Sequence, residues 1–169
     1  NDFLDAHFGK IAGTVKADTD HNGSGDTALA GVTLTLFTDP NGDGNPNDGV
    51  PFGTPVLTLA DGSYLFENVP TGSYVVVETD PAGYRSVSDG DSMPDAAFSP
   101  PDAPNTNTND NWLPVNLVAG ETDNGNDFVD LGIYVLGDRV WLDEDGDGLQ
   151  DAGEAGIANV VVKLYDITG

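Results

Sequence analysis

The sequence predicts an all-β protein folded as an antiparallel β-sandwich. Three observations carry that expectation. The apolar residues come in short runs, many alternating with period two, so that Val32, Leu34 and Leu36 face one way and Thr33 and Thr35 the other. Gly, Pro, Asn and Asp punctuate the runs, and no window sustains a helical period. The acid is mostly aspartate, 24 residues against 5 glutamates, and aspartate is a poor helix former that favours turns and cations.

The strand candidates follow in chain order. IAGTVKA runs into the acidic turn DTDHNGSGD, and VTLTLF, the cleanest alternation, runs into DPNGDGNPND. PVLTL stops at a DG turn, SYLFENV at PTG and SYVVVET at DPAG. Residues 88–112, SDGDSMPDAAFSPPDAPNTNTNDNW, hold four prolines and predict a long loop or insertion. LPVNLV, FVDLGIYVLGDRVWL and NVVVKLY complete the series.

The formal net charge is −24, from 29 acidic and 5 basic residues. Such a surface repels nucleic acid and anionic membranes and attracts cations. At 38% hydrophobic residues the chain has enough apolar side chains for a core, which argues against disorder. It has no cysteine, no signal-peptide pattern and no apolar run long enough to insert in a membrane. A mature or excised segment has this character.

An internal repeat sets the organisation. NDFLD at 1–5 recurs as NDFVD at 126–130, and at the same offset Val15 matches Val140, Asp18 matches Asp143, Asp20 matches Asp145 and Gly23 matches Gly148. Three residues are then gained: Asp26 matches Glu154, Leu29 matches Ile157, Val32 matches Val160, and Leu36 and Phe37 match Leu164 and Tyr165. The expected organisation is therefore a closing strand of a preceding repeat or an N-terminal extension at 1–8, a complete repeat at 9–135, and the opening strands and acidic loop of an incomplete repeat at 136–169.

The acidic loops have chelator spacing. In DEDGDGLQDAGE, Asp143, Asp145 and Asp147 occupy positions 1, 3 and 5, Gly148 position 6, Leu149 position 7, Asp151 position 9 and Glu154 position 12. This is the ligand spacing of a calcium loop of the EF-hand kind. Calcium takes six to eight hard oxygens, so carboxylates must converge from alternate positions. Leu149 would offer its carbonyl, and Glu154 has the reach to close the site. Apolar runs on both sides place this loop between strands rather than helices. The competing reading is a solvated acidic turn. The first copy offers Asp18, Asp20, Asn22, the Ser24 carbonyl and Asp26. A third loop offers Asp39, Asn41, Asp43, the Asn45 carbonyl and Asp48. Two to three or more calcium ions are expected, and the turns at 88–92 and 123–127 fit less well.

The stretch GDRVWLDEDGDGLQDAGEAGIANVVVKLYD resembles the opening of the calcium-binding B repeats of Sdr-type bacterial surface adhesins. DGSYLFENVPTGSYVVVETDPAGY is similar to the middle of those repeats and of collagen-adhesin B-type domains, and NDFVDLGIY to their closing strand. The resemblance implies a prealbumin/immunoglobulin-like β-sandwich, stacked in tandem outside the cell and stiffened by calcium. It carries the main ligands onto Asp143, Asp145, Asp147, Asp151 and Glu154, and in the first copy onto Asp18, Asp20, Asn22 and Asp26. Collagen-adhesin B-type domains often close a Lys–Asn amide bond assisted by a Glu. By resemblance Lys16 and Glu78 stand at the first and last of those positions, with Asn124 or Asn126 as the partner; Trp141 replaces the lysine in the second copy.

The expected function is a non-catalytic structural or adhesive repeat of a cell-surface stalk, fibre or matrix filament. Its partners are neighbouring copies or repeats, which strand addition would join into a filament. The alternative is a glycan- or protein-binding module within a larger secreted protein, gripping a host, matrix or glycan ligand through the 88–112 loop and Trp112. An enzyme is disfavoured: there are two histidines, His7 and His21, no cysteine, and neither a nucleophile elbow nor zinc spacing.

Overall fold

The computed structural model describes residues 8–91, 102, 105 and 107–165. The NDFLD copy, His7 and most of the 88–112 insertion lie outside the described residues. The strands run in the order β1 (Phe8–Asp18), β2 (Thr27–Ala28), β3 (Thr33–Thr38), β4 (Pro51–Leu57), β5 (Ser63–Pro70), β6 (Gly72–Thr79), β7 (Tyr84–Asp91), β8 (Trp112–Leu117), β9 (Thr122–Asp123) and β10 (Asn126–Gly132), with one 3-10 turn at Pro46–Asp48. No helix among these residues is long and apolar enough to cross a membrane.

Two sheets pack face to face. One is ordered β4–β3–β6–β8, all antiparallel. The other is ordered β2–β1–β10–β7, with β5 and β9 also paired to β1. The second sheet is mixed, which departs from the wholly antiparallel expectation: β1 runs parallel to both β9 and β10. The cause is topological, because the long first strand and the last strand meet side by side while running the same way. β1 changes partners midway. Its first half pairs with β5, and Val15–Asp18 pair with Phe128–Leu131 of β10. At the changeover Gly13 lets β10 approach: a Cβ there would lie 1.8 Å from the Asn126 carbonyl oxygen.

Alternation then fills the interior. Val32, Leu34 and Leu36 are at most 1% exposed, whereas Thr33 and Thr35 are half-buried. They meet Val76 of β6, Val115 and Leu117 of β8, and Ile11, Val15, Tyr64 and Phe128 of the facing sheet. Each such side chain contributes roughly 1.5–3 kcal/mol on burial. The Tyr64 hydroxyl, sunk in this core, donates to the Asn126 carbonyl at 2.6 Å.

The chain forms two compact units, 1–133 and 134–169. The apolar run FVDLGIYVLGDRVWL is interrupted: β10 ends at Gly132, and among the described residues the expected strands of the second unit form no ladder. Within that unit a single bridge, Trp141 to Gly156, closes the base of the acidic loop. Val161, Val162 and Leu164 are exposed, since two paired segments bury little apolar surface. Residues 88–91, read from sequence as loop, belong to β7.

Candidate metal centres

The three acidic loops are built alike. In each, the first aspartate turns back and accepts the N–H of the position-6 glycine: Gly23 onto Asp18 at 2.9 Å, Gly44 onto Asp39 at 2.9 Å and Gly148 onto Asp143 at 3.0 Å. The position-3 side chain accepts from position 5, as Asn22 N–H onto Asp20, Asp43 N–H onto Asn41 and Asp147 N–H onto Asp145. The position-5 side chain accepts from position 7, as Ser24 N–H onto Asn22, Asn45 N–H onto Asp43 and Leu149 N–H onto Asp147. Positions 4 and 6 have positive φ throughout: His21 and Gly23, Gly42 and Gly44, Gly146 and Gly148. The first aspartate of each loop thus accepts at least two backbone N–H groups: Asp18 from Asn22 and Gly23, Asp39 from Gly42, Asp43 and Gly44, and Asp143 from Gly146 and Gly148.

The closing carboxylates differ in a way that sequence explains. Asp26 accepts the Thr19 N–H at 2.8 Å, and Glu154 accepts the Glu144 N–H at 3.0 Å, so both hold loop position 2. Glu154 also accepts from Asp151 N–H at 3.0 Å. The middle loop has Pro40 at that position and no N–H to give; instead Asn45 caps the 3-10 turn that carries Asp48. Ligand oxygens of Asp18, Asp20 and Asp26 lie within 4.8 Å of one another, as do those of Asp39, Asp43 and Asp48, of Asp143, Asp145 and Glu154, and of Asp145, Asp147 and Asp151. Burial pushes the Asp18 carboxyl up, but the N–H groups of Gly23, Asn22 and His21 outweigh it and hold the group below the usual range. The Thr19 N–H and hydroxyl likewise hold Asp26 low. Two atoms each about 2.4 Å from a calcium ion are at most about 4.8 Å apart, so this all-oxygen donor set fits calcium.

The structure does not bring Lys16, Glu78 and Asn126 together. Lys16 lies between core-facing Val15 and Ala17 on β1, so its side chain leaves by the opposite face, where it packs over Gly25. Asn126 is buried at the start of β10, donating to Asp123 at 3.0 Å, and Asn124 is exposed. Glu78 does face the core, but it meets Asp130 of β10, whose register partner on β1 is Ala17. Burial first, then the Asp130 charge and a hydrogen bond with Asp130, push the Glu78 carboxyl up; burial also raises Asp130, against the lowering effect of that same hydrogen bond. Asp123 is pushed up to about 7 by burial and by Asp102. Sequence reasoning missed Asp130, because an aspartate in an alternating strand reads as solvent-facing until its register is known. A cavity of about 180 Å³ lies between the middle loop and Asn105, Asp110 and Trp112.

Comparison with known proteins agrees with the all-β sandwich. Residues 134–169 match the SdrD B-like domain family, and residues 15–91 match a prealbumin-like fold domain family. Serine-aspartate repeat-containing protein D of Staphylococcus aureus strain Newman is 36% identical over 171 residues, which cover 95% of this chain and 11% of that protein. Serine-aspartate repeat-containing protein F of Staphylococcus epidermidis is 31% identical over 176 residues, covering 100% of this chain and 9% of that protein. The chain therefore spans about a tenth of the length of these relatives. Among solved structures, the minor pilin GBS52 of Streptococcus agalactiae aligns with a TM-score of 0.47 at 14% identity, over 78% of this chain and 48% of that one. Residues 134–169 are therefore similar to SdrD B-like domains and residues 15–91 to prealbumin-like fold domains.

Proposed function

We propose that this chain is a structural segment of an extracellular, cell-surface protein, in which the loops at 18–26, 39–48 and 143–154 bind calcium and become rigid when they do. The observation that carries the reading is the hydrogen-bond pattern common to all three loops, which orders carboxylates for a cation rather than scattering them into solvent. Without metal, the acids of each loop repel one another. With metal, the charge is offset and the loop is fixed. Extracellular calcium modules bind at about 10⁻⁴–10⁻³ M. At ten times Kd each site adds about 1.4 kcal/mol to stability.

Tandem repetition is part of the proposal. Its support is a hydrogen bond that recurs at the base of two loops: Leu29 N–H donates to the Val15 carbonyl at 3.0 Å, and Ile157 N–H donates to the Val140 carbonyl at 2.8 Å. The partners are then neighbouring repeats or copies of the same chain, and the role is mechanical, not catalytic. The second reading, a glycan site at Trp112, has a cavity of about 180 Å³ in its favour, but ligand pockets run about 300–1,000 Å³.

Calorimetric titration of chelator-stripped protein tests the main reading. Uptake at all three loops, with a melting temperature that climbs on adding calcium and falls with EDTA, supports it. A melting curve indifferent to both reagents rejects it.

A further inference from the structure

The carboxyls of Glu78 and Asp130 meet inside the first unit, on facing sheets. Glu78 projects from β6 and is 3% exposed; Asp130 projects from β10 and is 0% exposed. None of their four oxygens accepts from any group outside the pair, while the two carboxyls lie within hydrogen-bond reach of each other. Ser86 is the cross-strand partner of Asp130 on β7, so both side chains share the core face, and its buried Oγ is also without a partner. Asp80 adds a third carboxylate, exposed, with ligand oxygens of all three acids within 4.8 Å of one another. Asn111 frames the group. Its carbonyl accepts the Glu78 N–H at 3.0 Å, its Nδ2 donates to Asp80 at 2.8 Å, and its buried Oδ1 has no donor.

Burying a carboxylate costs several kcal/mol unless a cation or donors offset it. The one ion pair among the described residues is Lys10–Glu67, at the surface, so no basic side chain serves this pair. A proton shared between Glu78 and Asp130 would quiet their repulsion, but it would leave the Ser86 and Asn111 oxygens idle. A hard divalent ion uses every one of these groups, and the exposed Asp80 gives it a way in. We propose that Glu78, Asp130 and Asp80, with Ser86 Oγ and Asn111 Oδ1, form an interior calcium site that ties β6 of one sheet to β10 of the other. This site is separate from the three loops and goes beyond the loop reading.

Calcium stoichiometry on the full chain tests it, by equilibrium dialysis after chelator stripping. The variants are a core pair, Glu78→Gln with Asp130→Asn, and a loop triple, Asp18→Asn, Asp39→Asn and Asp143→Asn. The expected result is one ion fewer in the core pair than in wild type, and one ion kept by the loop triple. Equal uptake by the core pair and wild type overturns the proposal and leaves a shared proton as the occupant. If the loops are the part that fails, wild type binds a single ion and the core pair none, so the two failures separate. A crystal of wild-type protein soaked in terbium gives a check free of folding effects. An anomalous peak between Glu78 and Asp130 supports the site, and peaks confined to the loops overturn it.

Discussion

Single residues in this chain are asked to hold unfavourable states. His21 takes φ of 63° at loop position 4, where the other two loops have Gly42 and Gly146. A non-glycine residue in the left-handed region costs about 1–2 kcal/mol. His21→Gly is therefore expected to raise the melting temperature of metal-free protein, with part of the gain lost to glycine's greater unfolded freedom; a lower melting temperature contradicts this. Asp123 is a second case. It is 5% exposed and held at about 7, well above its ordinary value of 3.8. Its protonated form is favoured by folding, so its contribution is complete at acid pH and is lost as pH rises through 7. Metal-free protein should melt lower at pH 8 than at pH 5, and Asp123→Asn should flatten that slope. A slope unchanged in the variant, read by calorimetry across that range, would sink the assignment.

At the scale of elements, the changeover in β1 is the critical joint. Gly13→Ala would drive a methyl group into the Asn126 carbonyl, backbone against backbone, where no side chain can yield. We expect a large loss in urea midpoint, and a much smaller one for Ala at Gly90, where a Cβ meets nothing within 4 Å. Much at this scale was legible beforehand. Alternation placed β3, which has one clean apolar face, whereas β6 and β8 were found as apolar runs, each with three consecutive buried residues. β7 was missed throughout, and its last four residues were read as loop, since SDGD has no apolar residue and the strand is ordered by β10 beside it. The parallel pairing of β1 with β10 was illegible for a similar reason: period two says which way side chains point, not which distant strand lies alongside. The turns of the acidic loops follow from spacing, because their hydrogen bonds are local. The Glu78–Asp130 meeting does not, because it depends on the register of two sheets.

For the whole molecule, charge is the governing quantity. A formal charge of −24 on 169 residues, with one ion pair among the described residues, leaves the folded state strained by its own repulsion. Metal-free protein should therefore gain melting temperature when monovalent salt rises from about 0.01 M to about 0.15 M, as the screening length drops from about 30 Å to about 8 Å. Calcium-loaded protein should gain less, because bound ions have already offset part of the charge. Equal salt responses in the two states would argue against specific sites.

The parallel pairing of β1 and β10 also decides how the first unit answers tension. Pulled by its two ends, β1 is drawn from its start and β10 from its finish, and since the strands run the same way the pull lies along both. Their hydrogen bonds, from Val15–Phe128 to Asp18–Leu131, are then sheared together rather than peeled one at a time. A fold that meets load on a whole ladder at once yields late and abruptly.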